Sequence, residues 1–211
     1  MPDMDGFGPE DLSEYCHVSR ETSEALAHYV TLIERWRGRI NLMGPREYTT
    51  IWRRHVLDSL QIAEHLPGEG DLIDLGSGAG FPALVLAIAQ GESAPTVHMV
   101  ESVGKKCAFL RQVSRELGLR TKTHHARIEA VKVENIGCVT ARALASLDQL
   151  LTYSEKWTQN GAICLFPKGQ IWQEELTLAE KYWRFHSQVI PSLSDPSGVI
   201  LKLSEISRVS P

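Results

Sequence analysis

Apolar residues in the first part of the chain recur at helical spacing. Leu26, Tyr29, Val30 and Ile33 lie three or four positions apart or side by side on one face. This spacing predicts an amphipathic helix of about four to five turns. Ser19 stands just before that pattern and is a suitable N-cap, because its hydroxyl can accept a free N–H of the first turn.

The helical pattern is interrupted once and then resumes. Gly44-Pro45 break it, and a second periodic stretch from Ile51 to Ile62 predicts one or two further helices before Pro67-Gly68. We therefore expect residues 1–68 to form a helical module that is part of one compact domain. Its first eight residues contain Gly, Asp and Pro and are expected to be frayed.

The periodicity changes after Gly70, where short apolar runs bounded by turn residues predict strands. The strand candidates are Leu72–Leu75, Thr96–Val100, Thr121–His125, Val139–Thr140, Gly161–Phe166, Arg184–Ile190 and Gly198–Leu203. Helices are predicted over Ala83–Gln90 and Lys105–Leu117. Because strands alternate with helices, residues 69–211 are expected to form an α/β domain. Its sheet should be seven-stranded and mainly parallel, with the last two strands as an antiparallel hairpin at one edge.

Composition narrows the class of protein. Hydrophobic residues make up 43% of the 211 positions and charged residues 23%, which is typical of globular domains. The longest apolar run, 83–89, is far shorter than the roughly 18 residues of a membrane helix. The acidic N-terminus lacks the apolar stretch of a secretory signal. Four isolated cysteines favour neither a zinc site nor a disulfide framework. We therefore expect a cytoplasmic protein without a metal or a membrane anchor.

Charge is unevenly distributed along the chain. The net charge of −4 argues against indiscriminate coating of nucleic acid. Residues 1–34 nevertheless carry eight acids and one base, whereas residues 35–55 carry six arginines and one acid. Residues 101–132 hold eight bases and three acids. Such clusters are commonly solvated helix faces, but a local basic segment can also attract a polyanion.

A glycine-rich loop carries the clearest chemical signal. It runs from Asp74 to Pro82, between a predicted strand and a predicted helix, with the spacing G-x-G-x-G. Phe81 occupies the place of the last glycine in the dinucleotide fingerprint, so the nicotinamide pattern does not fit. The loop fits the one that surrounds S-adenosylmethionine in Rossmann-like methyltransferases. Glu101 ends the next predicted strand, where an acidic side chain can accept both hydroxyls of a ribose.

The methyl acceptor can be narrowed by elimination. Amino methylases of adenine and cytosine commonly carry an Asn/Asp-Pro-Pro-aromatic motif after the fourth strand, where this chain has Thr140-Ala141-Arg142-Ala143. Methylation of pyrimidine carbon 5 needs an activated cysteine, and these cysteines lie in predicted helix or strand interiors. An acceptor with a free lone pair remains, and guanine N7 is one. Its methylation needs alignment rather than a general base.

Several motifs in fixed order resemble one known family. They are Asn41-Leu42, Trp52 to Leu60, Asp74 to Pro82, Val100-Glu101-Ser102 with Lys105-Lys106, Arg127-Ile128-Glu129, Thr140 to Ala143, and Phe166 to Gly169. Together they resemble the bacterial 16S rRNA guanine-N7 methyltransferases, also called glucose-inhibited division protein B, over roughly residues 20–205. The resemblance implies a class I S-adenosylmethionine-dependent methyltransferase domain at 69–211. It also implies methylation of one guanine in the decoding-region loop of small-subunit rRNA.

The resemblance implies a role for each matching residue. The cofactor contacts it implies are Asp74, Gly76, Gly78 and Phe81 of the loop, Glu101 at the ribose, Ile128 and Glu129 at the adenine, and Arg142. Arg142 would lie near the transferred methyl as a positioning residue. The RNA contacts that we expect are Asn41, Arg54, His55 and Lys168, with Trp52 close to the substrate.

Two alternatives remain open on the residues. One is a methyltransferase of a small molecule or a protein on the same fold, which predicts no RNA affinity. The other is a non-catalytic ribosome-assembly module with a vestigial loop, which predicts no cofactor binding. His124-His125 has no carboxylate or thiol at ligand spacing, so it does not indicate a metal site. The protein is expected to be a monomer.

Overall fold

One seven-stranded sheet forms the centre of the molecule. The computed structural model describes residues 2–91 and 95–209. The strands are β1 (Asp71–Leu75), β2 (Val97–Glu101), β3 (Thr121–His125), β4 (Ile136–Ala141), β5 (Ile163–Lys168), β6 (Trp183–Pro191) and β7 (Val199–Arg208). Their order across the sheet is β3-β2-β1-β4-β5-β7-β6. The order reverses between β1 and β4, and ligands of open α/β sheets bind at such a switch point.

Strand direction confirms the sheet that the sequence predicts. β1 to β5 are parallel, and β7 lies antiparallel between β5 and β6. The strand candidate Val139–Thr140 is part of a longer strand, β4. Leu75 at the end of β1 pairs with Val100 of β2 and with Ala141 of β4. The loops that follow these three strands therefore start at the same level of the sheet.

Helices cover both faces of the sheet. They are α1 (Arg20–Trp36), α2 (Asp58–Leu60), α3 (Ala83–Gln90), α4 (Gly104–Glu116), α5 (Leu147–Thr158) and α6 (Trp172–Ala179). Side chains alternate along each strand, so Leu72 packs with α1 and α3 on one face while Ile73 packs with α5 on the other. The first of these two hydrophobic clusters contains residues from both sides of position 68. No helix within 2–91 and 95–209 has the length and apolar character needed to span a bilayer.

Helices α5 and α6 lie outside the helices predicted from the sequence. In α5 the residues Leu147, Leu150, Leu151 and Trp157 are buried at helical spacing, so the periodic signal is present there. In α6 only Ala179 is buried, and its apolar pattern is too sparse to predict a helix.

The expected frayed N-terminus is wrong for residues 2–8; Met1 lies outside the described residues. The Asp3 carboxylate accepts the backbone N–H groups of Trp52 at 3.0 Å and Arg53 at 2.9 Å. Phe7 is buried, and the Arg53 guanidinium lies 4.2 Å from the centre of its ring. These contacts hold the segment against the helical module, because Asp3 satisfies two N–H groups at the start of a helical turn.

The second periodic stretch is helical over residues 51–60, in agreement with the predicted one or two helices, and its middle part is π-helical. A π-helical turn, Trp52–Leu57, leads directly into α2. It lies between the 3₁₀ turns Glu47–Thr50 and Ala63–His65. Trp52, which was expected close to the substrate, is only 1% exposed and belongs to the hydrophobic core, so its ring is not available to stack on a base.

Candidate active site

The glycine loop after β1 has the backbone that its sequence requires. Gly76, Gly78 and Gly80 have φ angles of +69°, +54° and +102°. Residues other than glycine rarely adopt this backbone conformation. A Cβ at Gly80 would meet the Leu84 side chain at 2.4 Å, so close packing excludes one there. A Cβ at Gly78 would meet only the Gly76 carbonyl oxygen, at 3.7 Å. Gly78 therefore faces open space.

The Glu101 carboxylate is held in a fixed orientation beside this loop. Its two oxygens accept the backbone N–H groups of Gly78 at 3.0 Å and Val103 at 2.8 Å. The residue is only 7% exposed. Each carboxylate oxygen can accept a further hydrogen bond, so the side chain is prepared to bind a pair of hydroxyl groups.

A cavity of about 320 Å³, which we call the cofactor cavity, opens above the loop. Six of the predicted cofactor residues line it: Gly76, Gly78, Glu101, Ile128, Glu129 and Arg142. Asp74 and Phe81 are buried and do not line it. Phe81 packs between Tyr29 and His55, with ring-centre distances of 5.4 Å and 5.0 Å. Tyr29 of α1 donates a hydrogen bond of 2.6 Å to the Ala79 carbonyl oxygen, so α1 supports the loop directly.

Asp74 is buried directly below the loop. Its Oδ1 accepts the Thr140 hydroxyl at 2.8 Å, and Oδ2 has no hydrogen-bond partner among the described residues. Burial raises the pKa of Asp74 to about 7, although hydrogen bonds from Ser77 and Thr140 lower it. A carboxyl with such a pKa changes its charge near neutral pH.

Arg142 joins the end of β4 to the helical module. Its Nε lies 3.0 Å from Asp58 Oδ2, Nη1 donates to His55 Nδ1 at 2.7 Å, and Nη2 donates to the Arg54 carbonyl oxygen at 2.6 Å. These contacts use three of the five guanidinium N–H donors. Arg142 is thus fixed by a planar fork of contacts and keeps two donors for a ligand.

His55 is neutral because of these surroundings. Burial and the cations of Arg142 and Arg54 lower the pKa of His55 to about 3. Arginine can only donate, so Nδ1 must accept and the ring proton must be on Nε2. His55 Nε2 has no hydrogen-bond partner among the described residues, and Glu47 Oε1 lies 4.0 Å from it. The predicted RNA residue His55 therefore contacts Arg142 and is itself buried.

A second cavity of about 320 Å³, the acceptor cavity, adjoins the first. Arg142 and Ala143 line both cavities. The other walls of the acceptor cavity come from the helical module, the end of β4 and the loop after it, α5, the end of β5, α6 and the loop between β6 and β7. Its polar lining residues are Arg54, Asp58, Arg142, Lys168, Glu175, Ser192, Ser194 and Asp195.

Of the other three predicted RNA residues, Arg54 and Lys168 line the acceptor cavity, whereas Asn41 does not. The Arg54 side chain is 64% exposed and lies 3.8 Å from Asp195 Oδ2. The Lys168 amine lies 2.6 Å from Glu175 Oε2, donates to the Ala145 carbonyl oxygen at 3.1 Å, and is only 9% exposed. Asn41 is exposed and lines a different, shallow cavity with Arg37 and Arg39.

Some residues of the site were not predicted to have a role. Asp58 connects Arg142 to Ser194, whose hydroxyl donates to Asp58 Oδ1 at 2.6 Å. Asp195 and Tyr153 also line a cavity. Asp58 is part of the motif after His55, so its position beside the predicted RNA residues was a usable signal. No local signal exists for Tyr153 or Asp195, because folding alone brings α5 and the β6–β7 loop here.

No group of three or more metal-ligating side chains occurs in the part of the chain that the structure describes. The four cysteines are free, and none lines either cavity. Burial raises the pKa of Cys16 to about 11 and that of Cys164 to about 12. Burial also raises the pKa of Cys107 and Cys138.

The sheet order, the glycine loop and the neighbouring cavities define a Rossmann-like methyltransferase. A methyltransferase from Geobacter sulfurreducens has the same fold, with a TM-score of 0.58 at 14% identity, over 95% of this chain and 94% of that chain. A SAM-dependent methyltransferase from Aquifex aeolicus gives a TM-score of 0.56 at 12% identity, over 86% of this chain and 98% of that chain.

Sequence comparison identifies the family within that class. A family model for rRNA small subunit methyltransferase G matches residues 22–198. The ribosomal RNA small subunit methyltransferase G of Hyphomonas neptunium is 48% identical over 191 residues, which are 90% of this chain and 91% of that protein. The same enzyme of Paramagnetospirillum magneticum is 46% identical over 203 residues, 96% of this chain and 98% of that protein. The chain belongs to the rRNA small subunit methyltransferase G family.

Proposed function

We propose that this protein transfers the methyl group of S-adenosylmethionine to N7 of one guanine in 16S rRNA. The observation that carries the proposal is the shared wall of the two cavities, formed by Arg142 and Ala143. Ligands in the two cavities can approach each other at that wall. Membership of the family supports small-subunit rRNA as the source of the acceptor.

The residues of the cofactor cavity fit S-adenosylmethionine. Glu101 has two oriented carboxylate oxygens that can accept the two ribose hydroxyls. Gly78 leaves space where a Cβ would project beside the ligand. Ile128 and Glu129 form the part of the wall that the resemblance places against adenine. An apolar side chain beside a polar one suits an aromatic ring with hydrogen-bonding edges.

The chain positions the reacting groups and supplies no general base. The cofactor supplies a methyl group on a positively charged sulfur. Guanine N7 has a free lone pair, so no proton must be removed before it reacts. Arg142, held by Asp58 and His55, fixes the wall between the cavities. Alignment of the acceptor and exclusion of water are then the main contributions of the protein.

The cysteines argue against the main chemical alternative among RNA methylations. Methylation of pyrimidine carbon 5 requires a thiolate that attacks the base. Cys138 and Cys164 are buried in strands with raised pKa values, and no cysteine lines the acceptor cavity. This arrangement supports an acceptor that reacts without a covalent intermediate.

The RNA contacts divide into two groups in this proposal. Arg54 and Asn41 are exposed and suit contacts with phosphate or sugar groups. His55 acts through Arg142 and does not touch the RNA. Lys168 faces the acceptor cavity, where its ion pair with Glu175 limits its role to that of a wall residue. We further propose that the protein acts as a cytoplasmic monomer, which size-exclusion chromatography with light scattering can test.

The direct test uses the cofactor with a labelled methyl group. The protein is incubated with deproteinised 16S rRNA and, separately, with small ribosomal subunits that lack the modification. We expect labelled 7-methylguanosine after digestion to nucleosides, at one position of the decoding-region loop. Label at another atom, or none in either RNA sample, would contradict the proposed function.

A further inference from the structure

Three carboxylates line the acceptor cavity, and two of them have close cationic partners. Asp58 Oδ2 lies 3.0 Å from Arg142 Nε, and its Oδ1 accepts the Ser194 hydroxyl at 2.6 Å. Glu175 lies 2.6 Å from the Lys168 amine. Breaking either contact would leave a largely buried charge without its partner. Asp58 and Glu175 are therefore structural residues of the cavity wall and are not free to bind a ligand.

Asp195 is the carboxylate with an acceptor still available. Its Oδ1 accepts the backbone N–H of Ser197 at 2.9 Å and the Ser197 hydroxyl at 2.8 Å. The Arg54 guanidinium lies 3.8 Å from Oδ2, beyond hydrogen-bond distance. The hydrogen bonds from Ser197 hold the pKa of Asp195 below its ordinary value, so the group is ionised at neutral pH.

The contact between Arg54 and Asp195 is easily broken. The two side chains are 64% and 39% exposed, and ion pairs between exposed groups contribute little to stability. An RNA phosphate that attracts Arg54 would therefore release Asp195 at low cost. The acceptor cavity would then present a negatively charged acceptor, and Asp195 lines this cavity but not the cofactor cavity.

We propose that Asp195 recognises the Watson–Crick edge of the target guanine. The proposal rests on the proposed function of the same site. Guanine presents two adjacent donors on this edge, the N1–H and the 2-amino group, whereas a carboxylate only accepts. Adenine presents the N1 lone pair there and would be repelled. RNA-modifying enzymes commonly read an unstacked base through this edge.

This recognition also orients the reactive atom. N7 lies on the edge of the purine opposite to the 2-amino group. In the proposed orientation the Watson–Crick edge contacts Asp195 and N7 points to Arg142 and Ala143, the residues that line both cavities. A guanidinium donor of Arg142 can then bind O6 next to N7 and leave the N7 lone pair free. Asp195 is therefore assigned both selection of guanine and its orientation.

The test removes the contact once from the protein and once from the RNA. A 16S rRNA is assembled by ligation with guanine or inosine at the methylated position; inosine lacks the 2-amino group. Wild-type protein and Asp195→Asn are compared by kcat/KM on both RNAs. We expect kcat/KM of the wild type to be about tenfold lower on inosine RNA than on guanine RNA. For Asp195→Asn the same decrease should be less than about twofold, because the variant has already lost the charged acceptor. On guanine RNA, Asp195→Asn should be about 10- to 100-fold slower than the wild type.

For each enzyme, the ratio of kcat/KM on guanine RNA to kcat/KM on inosine RNA comes from one protein preparation. Partial misfolding of a variant lowers both values equally and does not change this ratio. Glu174→Gln is the matched control, because Glu174 is exposed on α6 and lines neither cavity; it should behave as the wild type. An equal loss on inosine in wild type and Asp195→Asn, or no loss in the wild type, overturns the assignment to Asp195. Guanine methylation would still occur in either case. Absence of methylation by the wild type on guanine RNA would instead contradict the proposed function.

Discussion

The cofactor cavity is built largely by loops that follow neighbouring parallel strands, whereas the acceptor cavity is assembled from segments far apart in the chain. Gly76 and Glu101 follow or end strands that pair directly in the sheet. Arg54, Arg142, Lys168 and Ser194, in contrast, come from four separate segments. Hydrogen bonds and ion pairs between side chains, such as those of Arg142 and Asp58, hold these segments together.

Because of this difference, the two cavities should respond differently to substitutions. The cofactor cavity depends on backbone conformation, so substitutions of its glycines should act through shape. The acceptor cavity depends on charged side chains, so substitutions there should act through lost contacts and should leave cofactor binding largely intact. The contrast predicts distinct defects in the two cavities.

The largest effect is expected from Gly78→Val. At φ +54° a branched side chain is strained and would occupy the space beside the loop, so cofactor affinity should fall by more than about 100-fold. Gly91→Val is the control, because Gly91 also has a positive φ of +71° with nothing near its Cβ position, but lies outside both cavities. Gly91→Val should lose stability and retain affinity for the cofactor. Titration calorimetry with S-adenosylmethionine measures the affinity of each variant, and thermal denaturation measures its stability. Unchanged affinity in Gly78→Val would rule out this cavity as the cofactor site.

Arg142→Lys should affect the rate more than cofactor binding. Lysine keeps the charge but cannot reach Asp58, His55 and the Arg54 carbonyl oxygen as a planar fork. We expect the single-turnover rate to fall by about 30- to 100-fold through loss of alignment. Arg208→Lys is the matched control, since Arg208 Nε contacts both Glu155 oxygens at 2.9 and 3.0 Å outside the cavities. A comparable rate in Arg142→Lys and wild type would contradict a positioning role.

Cofactor affinity should depend on pH through Asp74. Its pKa of about 7 lies above the ordinary value of 3.8, so its contribution to folding stability is full below about pH 4 and is lost as the pH rises through about 7. A positively charged cofactor favours the ionised carboxylate. Affinity should therefore rise about tenfold from about pH 6 to about pH 8. Asp74→Asn should give a flat profile by calorimetry, and a pH dependence that persists in this variant would identify another group.

Arg54 and Lys168, two of the three cations that line the acceptor cavity, should differ in their contribution to RNA binding. Arg54 is exposed and weakly paired, so Arg54→Ala should reduce the salt dependence of RNA affinity by about 0.7–0.9 units of slope, as for one lost phosphate contact. Lys168→Ala should change the slope much less, because the amine is already paired with Glu175. Filter binding over a range of salt concentrations measures the slope for each variant. Equal slopes for Arg54→Ala and Lys168→Ala would contradict this difference between the two residues.

With saturating cofactor, the single-turnover rate should hardly change between about pH 6.5 and about pH 9, because guanine N7 needs no deprotonation. His55 is neutral throughout that range, and bound cofactor should keep Asp74 ionised. A rise in rate with a slope of one would indicate an obligatory general base and a different acceptor atom.

The glycine loop and the sheet could be predicted because their signals are local. Three glycines after an apolar run and an acid at the end of the next strand already specify a ligand site at one sheet edge. The strand hairpin was equally clear from its turn residues. The frayed N-terminus was predicted wrongly, because the partners of Asp3 are backbone groups about fifty positions away, and composition carries no information about them.

The acceptor cavity was only partly predictable. Arg54 and His55 are neighbours in sequence, yet one side chain is 64% exposed and the other 7%. Successive side chains of a helix point about 100° apart, so the two residues meet different surroundings, and the sequence alone does not show which of them is buried. Asp195 could not be predicted at all, since only tertiary folding brings the β6–β7 loop to Arg54.

The π-helical turn at Trp52–Leu57 makes this part of the chain sensitive to changes in length. Each residue of an α-helix turns the following side chains by about 100°. Deleting one residue, such as Val56, would rotate Asp58 relative to the upstream part of the turn and take its carboxylate away from Arg142. The exposed loop positions around Gly68 carry no comparable contact. In families of related sequences, insertions and deletions should therefore collect in such loops and be excluded between Trp52 and Asp58.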